Sequence, residues 1–161
     1  MERTKVKAIL LICRNVDCEI SLNKRMIRDI EETYYVANGK STTESYISSR
    51  NLVSRPTEKA ALNVPEHVSV SIEDLQQRNQ NLLALRGAVL RELNTLPYIQ
   101  KKVLYDFYVN REFWDKIARD VNYSVEQCKR YRNQGLDALG RKFDTNKKIK
   151  ELLQKRGRDT P

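Results

Sequence analysis

An apolar repeat of seven residues runs through the first 34 residues of the chain and constrains its fold more than any other feature. The members of its two positions are Val6, Cys13, Ile20, Ile27 and Tyr34, and Ile9, Val16 and Ile30. Alternating steps of three and four residues place such side chains along one stripe of a helix. The repeat therefore predicts one long helix with coiled-coil-like packing. Leu10, Leu11 and Ile12 widen the stripe near its start, so we expect that end to meet a further partner.

A second repeat of this kind begins near Ser71, where Ser71 and Asp74 resemble a helix-capping pair. Its members are Ile72, Leu75, Asn79, Leu82, Arg86, Val89, Leu93 and Leu96. Two matching seams bury each other in an antiparallel helical hairpin, or pack against the same helices of a second chain. Asn23 and Asn79 are polar members of the seams, and they either set the register or lie at a loosely packed edge.

The segment between the two repeats, residues 37–70, is rich in Ser, Thr, Asn and Pro. Such residues favour turns and interrupt helices, so the segment is predicted to be a long connection. Within it, Pro56 to Leu62 is predicted to form a short helix, with proline in the first turn. Residues 1–96 are thus expected to form a helical hairpin and oligomerisation region with a loop over 37–70.

Shorter helices are predicted after Leu96, over 98–108, 112–121 and 125–143. Asn110 and Asn122 are expected to end two of them, because asparagine tolerates a left-handed backbone. Ser124 is a suitable N-cap for the last helix. The residues predicted to face inward in the middle helix are Phe113, Trp114, Ile117 and Val121, and we interpret Trp114 as core. This order of short helices predicts a helix-turn-helix domain over 97–145, followed by a basic tail over 146–161. The tail is expected either to extend along a nucleic-acid backbone or to be a solvated, frayed end.

Charge is concentrated in the second part of this +9 chain. Residues 97–161 carry 16 Lys and Arg against 9 Asp and Glu, whereas residues 1–96 carry 14 against 12. A basic surplus attracts polyanions, although it also serves solubility alone. On the last predicted helix Gln127, Arg130 and Asn133 recur every three residues along one face and have side chains that can read bases. The alternative is an amphipathic helix whose wet face is simply basic.

The segment from Leu96 to Leu139, with FYVNREFWDKIARDVNYS at its centre, resembles region 4 of bacterial sigma factors. It is still more similar to phage-encoded regulators of the RinA and ArpU type, which also have a linker like SRPTEKAAL here. The resemblance implies an all-α protein that binds double-stranded promoter or operator DNA and activates late, packaging or lysis genes of a phage or prophage with host RNA polymerase. The residues that it implies face DNA are Ser124, Glu126, Gln127, Lys129, Arg130 and Asn133, with Lys116 and Arg119 near phosphates. Asn122 and Cys128 depart from the family pattern, where glycine and valine are usual.

Other classes of function find little support in the sequence. With a single histidine, His67, no nucleophile, base and carboxylate set can be assembled, and no glycine loop for phosphate appears, so we expect no enzyme and no cofactor. The three cysteines lack zinc-site spacing, and no apolar run is long enough for a membrane, which favours a cytoplasmic protein without a metal. The alternative hypothesis is an adaptor that binds RNA polymerase or a phage protein without contacting DNA. An RNA-binding role lacks the aromatic platform that stacks single-stranded bases.

Apolar residues outside the two seams bear on assembly. They are Leu10, Leu11, Ile12, Leu83, Leu85 and Leu90. In an isolated hairpin these side chains would stay exposed, and leftover apolar surface usually marks an interface. The sequence therefore predicts a homo-oligomer held by the N-terminal helices. The competing account is a monomer in which the helix-turn-helix domain folds back over this surface.

Overall fold

The computed structural model describes residues 1–37 and 65–158, and all regular secondary structure in these ranges is helical. The helices are α1 (Arg3–Ala37), α2 (Glu66–Asn94), α3 (Tyr98–Leu104), α4 (Trp114–Val121), α5 (Val125–Thr145) and α6 (Lys147–Arg158), and a π-helical turn (Tyr105–Val109) follows α3. The predicted all-α class is confirmed for this part of the chain. No helix within it is both long and apolar enough to cross a membrane. The short helix expected at 56–62 lies outside the described residues.

Helix α2 begins at Glu66, before the start expected near Ser71. The carbonyl of Pro65 accepts hydrogen bonds from the backbone N–H groups of Val68 and Ser69 at 2.9 and 3.1 Å, so the first turn is already closed there. Ser71 lies inside the helix and donates its hydroxyl to the carbonyl of His67 at 2.8 Å. The predicted capping role of Ser71 is therefore wrong. A glutamate in the first turn suits the positive end of the helix dipole and favours the earlier start.

The chain forms two compact units. The first, which we call the core unit, comprises Met1–Glu19 and Gln80–Pro161, and the second, the paired-helix unit, comprises Ile20–Asn79. The domain boundary expected between residues 96 and 97 falls inside the core unit. In the paired-helix unit the side chain of Asn23 donates a hydrogen bond to that of Asn79 at 2.8 Å, and Leu75 is buried.

One contiguous apolar core joins five helices of the core unit. Its buried members include Val6, Leu10 and Cys13 of α1, Leu85, Val89 and Leu93 of α2, Leu104 of α3, Leu136, Leu139 and Phe143 of α5, and Ile149 and Leu152 of α6. Leu10 and Leu85, which were expected to stay exposed in a hairpin, are only 1% and 2% exposed. The interface predicted at these two residues is therefore wrong, because the later helices of the same chain cover both side chains, as the competing account expected. Leu83 does remain exposed.

Residues 147–158 form α6, although the sequence suggested a solvated basic end. Ile149 is completely buried and Leu152 nearly so, and both join the apolar core. Asn146 begins the helix by accepting the backbone N–H of Ile149 at 3.2 Å, and its amide donates to Glu92 at 2.7 Å. The prediction of a frayed end is wrong because the apolar spacing of Ile149 and Leu152 is sufficient to dock a short helix.

The first turn of α1 packs on the second half of α5. Arg3 pairs with Asp137, and this hydrogen bond lowers the pKa of the Asp137 carboxyl group. The amino group of Met1 pairs with Asp144 and also donates to the carbonyl of Gly140 at 3.3 Å. A Cβ atom on Gly140 would lie only 2.6 Å from the Met1 carbonyl oxygen. The second half of α5 is therefore covered by α1.

Helices α3 and α5 are in close contact at Gly135. A Cβ atom at this position would lie 2.7 Å from Cδ1 and 3.3 Å from Cγ of Leu104, which is itself fully buried. Gly87 in α2, by contrast, has open space around the same position. Packing against Leu104 therefore requires a residue without a side chain at position 135, whereas position 87 has room for one.

We expect Gly135→Ala to lower the free energy of unfolding by about 1–2 kcal/mol, because overpacking against Leu104 outweighs the gain in helix propensity. The matched change Gly87→Ala should raise it by about 0.5–1 kcal/mol, since only the propensity changes. Urea unfolding followed by circular dichroism measures both. Equal stabilisation by the two substitutions would contradict the close contact between α3 and α5.

The three cysteines differ in accessibility. Cys13 is buried, and burial raises the pKa of its thiol to about 11. Cys128 is also buried, which raises its thiol pKa as well, whereas Cys18 is exposed. Because the thiolate is the reactive form, the structure separates one accessible thiol from two protected ones.

We therefore expect iodoacetamide at pH 8 to modify Cys18 rapidly in the native protein and to leave Cys13 and Cys128 unmodified until the core opens. Mass spectrometry of timed samples gives the order of reaction, and a denatured sample provides the control in which all three react. Rapid alkylation of Cys13 in the native protein would mean that the core between α1 and α2 is not closed as described.

Candidate nucleic-acid interface

Helix α4 packs on the start of α5 through a small apolar cluster of its own. Ile117 and Val121 of α4, Val103 of α3 and Cys128 of α5 are buried together, and Val125 packs against them. Ala118 is also buried in this cluster, and its small side chain suits close packing of α4 on its neighbours. The cluster holds the first turns of α5 on the rest of the domain from one side and leaves the opposite side to solvent.

A tight turn connects α4 to α5. Asn122 adopts the left-handed conformation, with φ 56° and ψ 41°, as the sequence predicted. The N–H of Tyr123 donates to the carbonyl of Ala118 at 3.1 Å and the N–H of Asn122 to that of Arg119 at 3.3 Å, which is the Schellman arrangement for ending a helix. The ring of Tyr123 lies edge-on to Tyr131 of α5 at 5.3 Å between centroids. The hydrogen-bonded turn at Asn122 and the contact between Tyr123 and Tyr131 thus together fix the direction in which α5 leaves α4.

Ser124 caps α5, as predicted. Its hydroxyl accepts the backbone N–H of Gln127 at 3.2 Å, and the side-chain oxygen of Gln127 accepts the backbone N–H of Ser124 at 3.3 Å. This reciprocal pair is a capping box. The side-chain oxygen of Gln127 is therefore engaged within the protein, and the amide NH2 group is the part of this side chain that suits a contact with a base.

The loop before α4 is organised by Asp106, whose role was not predicted from the sequence. The residue is only 8% exposed, its carboxylate accepts hydrogen bonds from Lys102 at 2.8 Å and Asn110 at 3.1 Å, and its backbone carbonyl accepts the N–H of Glu112 at 2.9 Å. The bond to Asp106 raises the pKa of Lys102. The spacing of Lys102, Asp106 and Asn110, four residues apart on one helix face, was the signal available in the sequence.

Asn110 ends the helical segment, as predicted, because it directly follows the π-helical turn as its C-cap. The expected left-handed backbone is not found there, since Asn110 has φ −81°, and Arg111 adopts that conformation instead, with φ 60°. The hydrogen bond from the Asn110 amide to the Asp106 carboxylate keeps Asn110 in a helical conformation. The left-handed residue therefore comes one position later, at Arg111. Phe113, expected inward, is 82% exposed, because its extended backbone before α4 takes its side chain out of phase with the helix.

Most residues predicted to face DNA lie on the exposed side of α4 and α5. Those with exposed side chains are Lys116, Arg119, Ser124, Glu126, Gln127, Lys129 and Arg130. Lys116 pairs with Glu112, and this hydrogen bond raises the pKa of Lys116. Arg119 donates to the backbone carbonyl of Asp115 at 3.2 Å. The α5 residues of this set all lie in its first half, whereas the start of α1 packs on one side of the second half.

Asn133 is the member of the predicted set that is half-buried. Its side-chain oxygen accepts both Nε and Nη2 of Arg132 at 3.1 and 3.0 Å. The Arg132 guanidinium lies 5.4 Å above the ring of Trp114, which stacks on Phe107 at 4.3 Å. Trp114, expected in the core, is also only half-buried, between Phe107 and Arg132. Stacking and the paired hydrogen bonds fix Arg132, and Arg132 in turn orients Asn133.

The chemistry of this surface is that of recognition by hydrogen bonds and charge. Lys129 and Arg130 offer cationic donors, Gln127 offers an amide donor, and Glu126 is the acidic group among them. A guanidinium on a helix can bond two acceptors of one guanine edge. No cluster of three or more metal-binding side chains occurs in residues 1–37 and 65–158.

The chain matched no protein-family model, no curated protein and no solved structure when compared with each. The similarity to the RinA and ArpU type of phage regulator therefore rests on the residues quoted from this sequence.

We expect Ser124→Ala to lower the free energy of unfolding by about 1 kcal/mol, because it leaves the first turn of α5 without its side-chain acceptor. Ser71→Ala, the same change inside α2, should be neutral or stabilising by up to about 0.5 kcal/mol, since alanine has the higher helix propensity. Thermal melting of the two variants and the wild type tests this. A loss of equal size in both would argue against a specific capping role for Ser124.

Proposed function

We propose that this protein is a sequence-specific DNA-binding transcriptional regulator in which α4 and α5 form a helix-turn-helix. The observation that carries the proposal is the first half of α5, an exposed polar surface held on a buried apolar base by the turn at Asn122 and the cap at Ser124. In a helix-turn-helix the corresponding turns of the second helix enter the major groove.

Within this proposal, side chains on α5 read bases and side chains at its flanks bind phosphates. Arg130 is the candidate for a bidentate contact with guanine, and the amide of Gln127 is a second base contact. Lys116 and Arg119 of α4 and Lys129 of α5 are phosphate contacts that supply most of the affinity and its salt dependence. The Glu126 carboxylate repels hydrogen-bond acceptors on base edges and accepts a hydrogen bond from the amino group of cytosine.

The biological setting follows from the resemblance described above. We propose activation of late, packaging or lysis genes of a phage or prophage, together with host RNA polymerase. In this account α1 and α2 form a helical hairpin that carries the DNA-reading helices, and the region 4-like segment is the part that reads the promoter.

A second candidate function, an adaptor that binds RNA polymerase or a phage protein, is favoured by one observation. Phe113 and Tyr98 are 82% and 64% exposed, at the start of α4 and of α3. Exposed aromatic side chains are frequent anchors of protein interfaces. A footprint on duplex DNA separates the candidates, because a regulator protects a specific site whereas an adaptor that does not contact DNA protects none.

Selection from random duplexes with the purified full chain provides the test, followed by fluorescence anisotropy on the selected duplex. We expect Arg130→Ala to weaken binding by about 1–3 kcal/mol and to relax preference at one base pair. Arg141→Ala removes the same charge from the same helix about three turns further on and is the matched control, for which we expect little change. No enrichment of any sequence would contradict the proposal.

Lys129→Ala should weaken binding to specific and unrelated duplexes alike, because a phosphate contact carries no sequence information. The slope of the logarithm of the binding constant against that of salt concentration should fall in magnitude by about 0.9. Titrations at several salt concentrations measure this. An unchanged slope would place Lys129 away from the DNA backbone.

A further inference from the structure

The two side-chain amides among the residues predicted to face DNA have their oxygen atoms engaged within the protein. The oxygen of Gln127 accepts the backbone N–H of Ser124 at 3.3 Å and the Ser124 hydroxyl at 3.5 Å. The oxygen of Asn133 accepts Nε and Nη2 of Arg132 at 3.1 and 3.0 Å. An amide oxygen has two lone pairs, so each oxygen is fully used. Each side chain therefore has its NH2 group, a donor, left for a ligand.

The chemistry of the partners fixes which way each amide is turned. A backbone N–H and a guanidinium can only donate hydrogen bonds, so exchanging the oxygen and nitrogen of either amide would set donor against donor. Arg132 is itself held in place, with its guanidinium 5.4 Å above the ring of Trp114 and that ring stacked on Phe107 at 4.3 Å. The donors of the two amides are thus set before any ligand binds.

A third donor lies between the two amides. Arg130 is exposed and is three residues from both Gln127 and Asn133, which makes it their neighbour on the helix surface. Its guanidinium has no acceptor atom. Side chains that only donate therefore adjoin one another along this part of α5, and the acidic Glu126 is the acceptor beside them.

The base pairs differ in how well they match such a surface. In the major groove guanine presents two adjacent acceptors, N7 and O6, whereas adenine presents one acceptor beside its amino group, a donor. An amide side chain pairs with adenine through both of its atoms, and it needs a free oxygen to accept the adenine amino group. Gln127 and Asn133 have no free oxygen. Guanine suits both amides, and its partner cytosine offers an amino group to Glu126.

We propose that α5 selects guanine over adenine at the base pairs that face Gln127 and Asn133, and that Arg132 is a positioning residue that imposes this choice on Asn133. The inference rests on the proposed function, because it requires α5 to lie in the major groove. Arg132 acts through Asn133 and needs no contact with DNA.

Selection from random duplexes, with the full chain and with Asn133→Ala, identifies the base pair that Asn133 reads as the one whose preference relaxes in the variant. We expect guanine there in the wild-type selection. Changing this guanine to adenine should weaken binding of the wild-type chain by about 5- to 150-fold, measured by fluorescence anisotropy.

Arg132→Met tests the positioning role, because it retains an unbranched side chain beside Trp114 and frees the oxygen of Asn133. We expect this variant to bind the duplex with adenine at that base pair at least as tightly as the duplex with guanine. Arg141→Met is the matched control, since it removes the same charge from the same helix without freeing an amide oxygen, and it should keep the preference for guanine. Circular dichroism verifies that both variants are folded.

Gln127→Glu tests the second amide without disturbing the cap. Glutamate accepts the N–H of Ser124 in a capping box as glutamine does, but it replaces the NH2 donor by an acceptor. We expect an unchanged melting temperature and loss of the preference for guanine at a different base pair from the one that Asn133 reads.

The outcomes separate this inference from the proposed function. Adenine at the base pair read by Asn133 in the wild-type selection, or an undiminished preference for guanine in Arg132→Met, would overturn the inference and leave DNA recognition by α5 intact. A selection that enriches no sequence would overturn both.

Discussion

The rest of the core unit depends on the burial of one face of α5. Its first turns contribute Cys128 to the cluster with α3 and α4, and its later turns contribute Leu136, Leu139 and Phe143 to the core shared with α1, α2 and α6. All four side chains are completely buried. At about 1.5–3 kcal/mol for each large apolar side chain removed from water, this one helix contributes a large share of the stability of a domain this size.

The same packing divides α5 into two halves with different surroundings. The N-terminal turn of α1 lies on the second half, where Arg3 pairs with Asp137. The first half is covered on its inner side alone and presents Gln127, Lys129 and Arg130 to solvent. Binding by a preformed, rigid surface loses less conformational entropy than binding by a flexible one, which is why the turn at Asn122 and the cap at Ser124 matter to the proposed recognition of DNA.

Local patterns in the sequence predicted the helices and the connection before α5, but contacts between distant segments escaped them. Seven-residue periodicity anticipated α1 and α2, and backbone chemistry anticipated the roles of Asn122 and Ser124. Phe113 was misjudged because one extended residue shifts its phase, and α6 was missed because Ile149 and Leu152 are surrounded by lysines. The burial of Leu10 and Leu85 depends on how the chain folds back on itself, which periodicity does not encode. The exposed set on α5 could be predicted, whereas the anchoring of Arg132 on Trp114 required tertiary structure.

The central claim is that the first half of α5 reads DNA from the major groove. Methylation of guanine N7 by dimethyl sulfate probes that groove directly, because N7 lies on its floor. On a duplex selected by the protein, we expect bound wild-type chain to protect one or more guanines, and Arg130→Ala, at saturating concentration, to restore methylation at one of them. Complete methylation of every guanine in a saturated complex would contradict the claim and would place the contact on the backbone or in the minor groove.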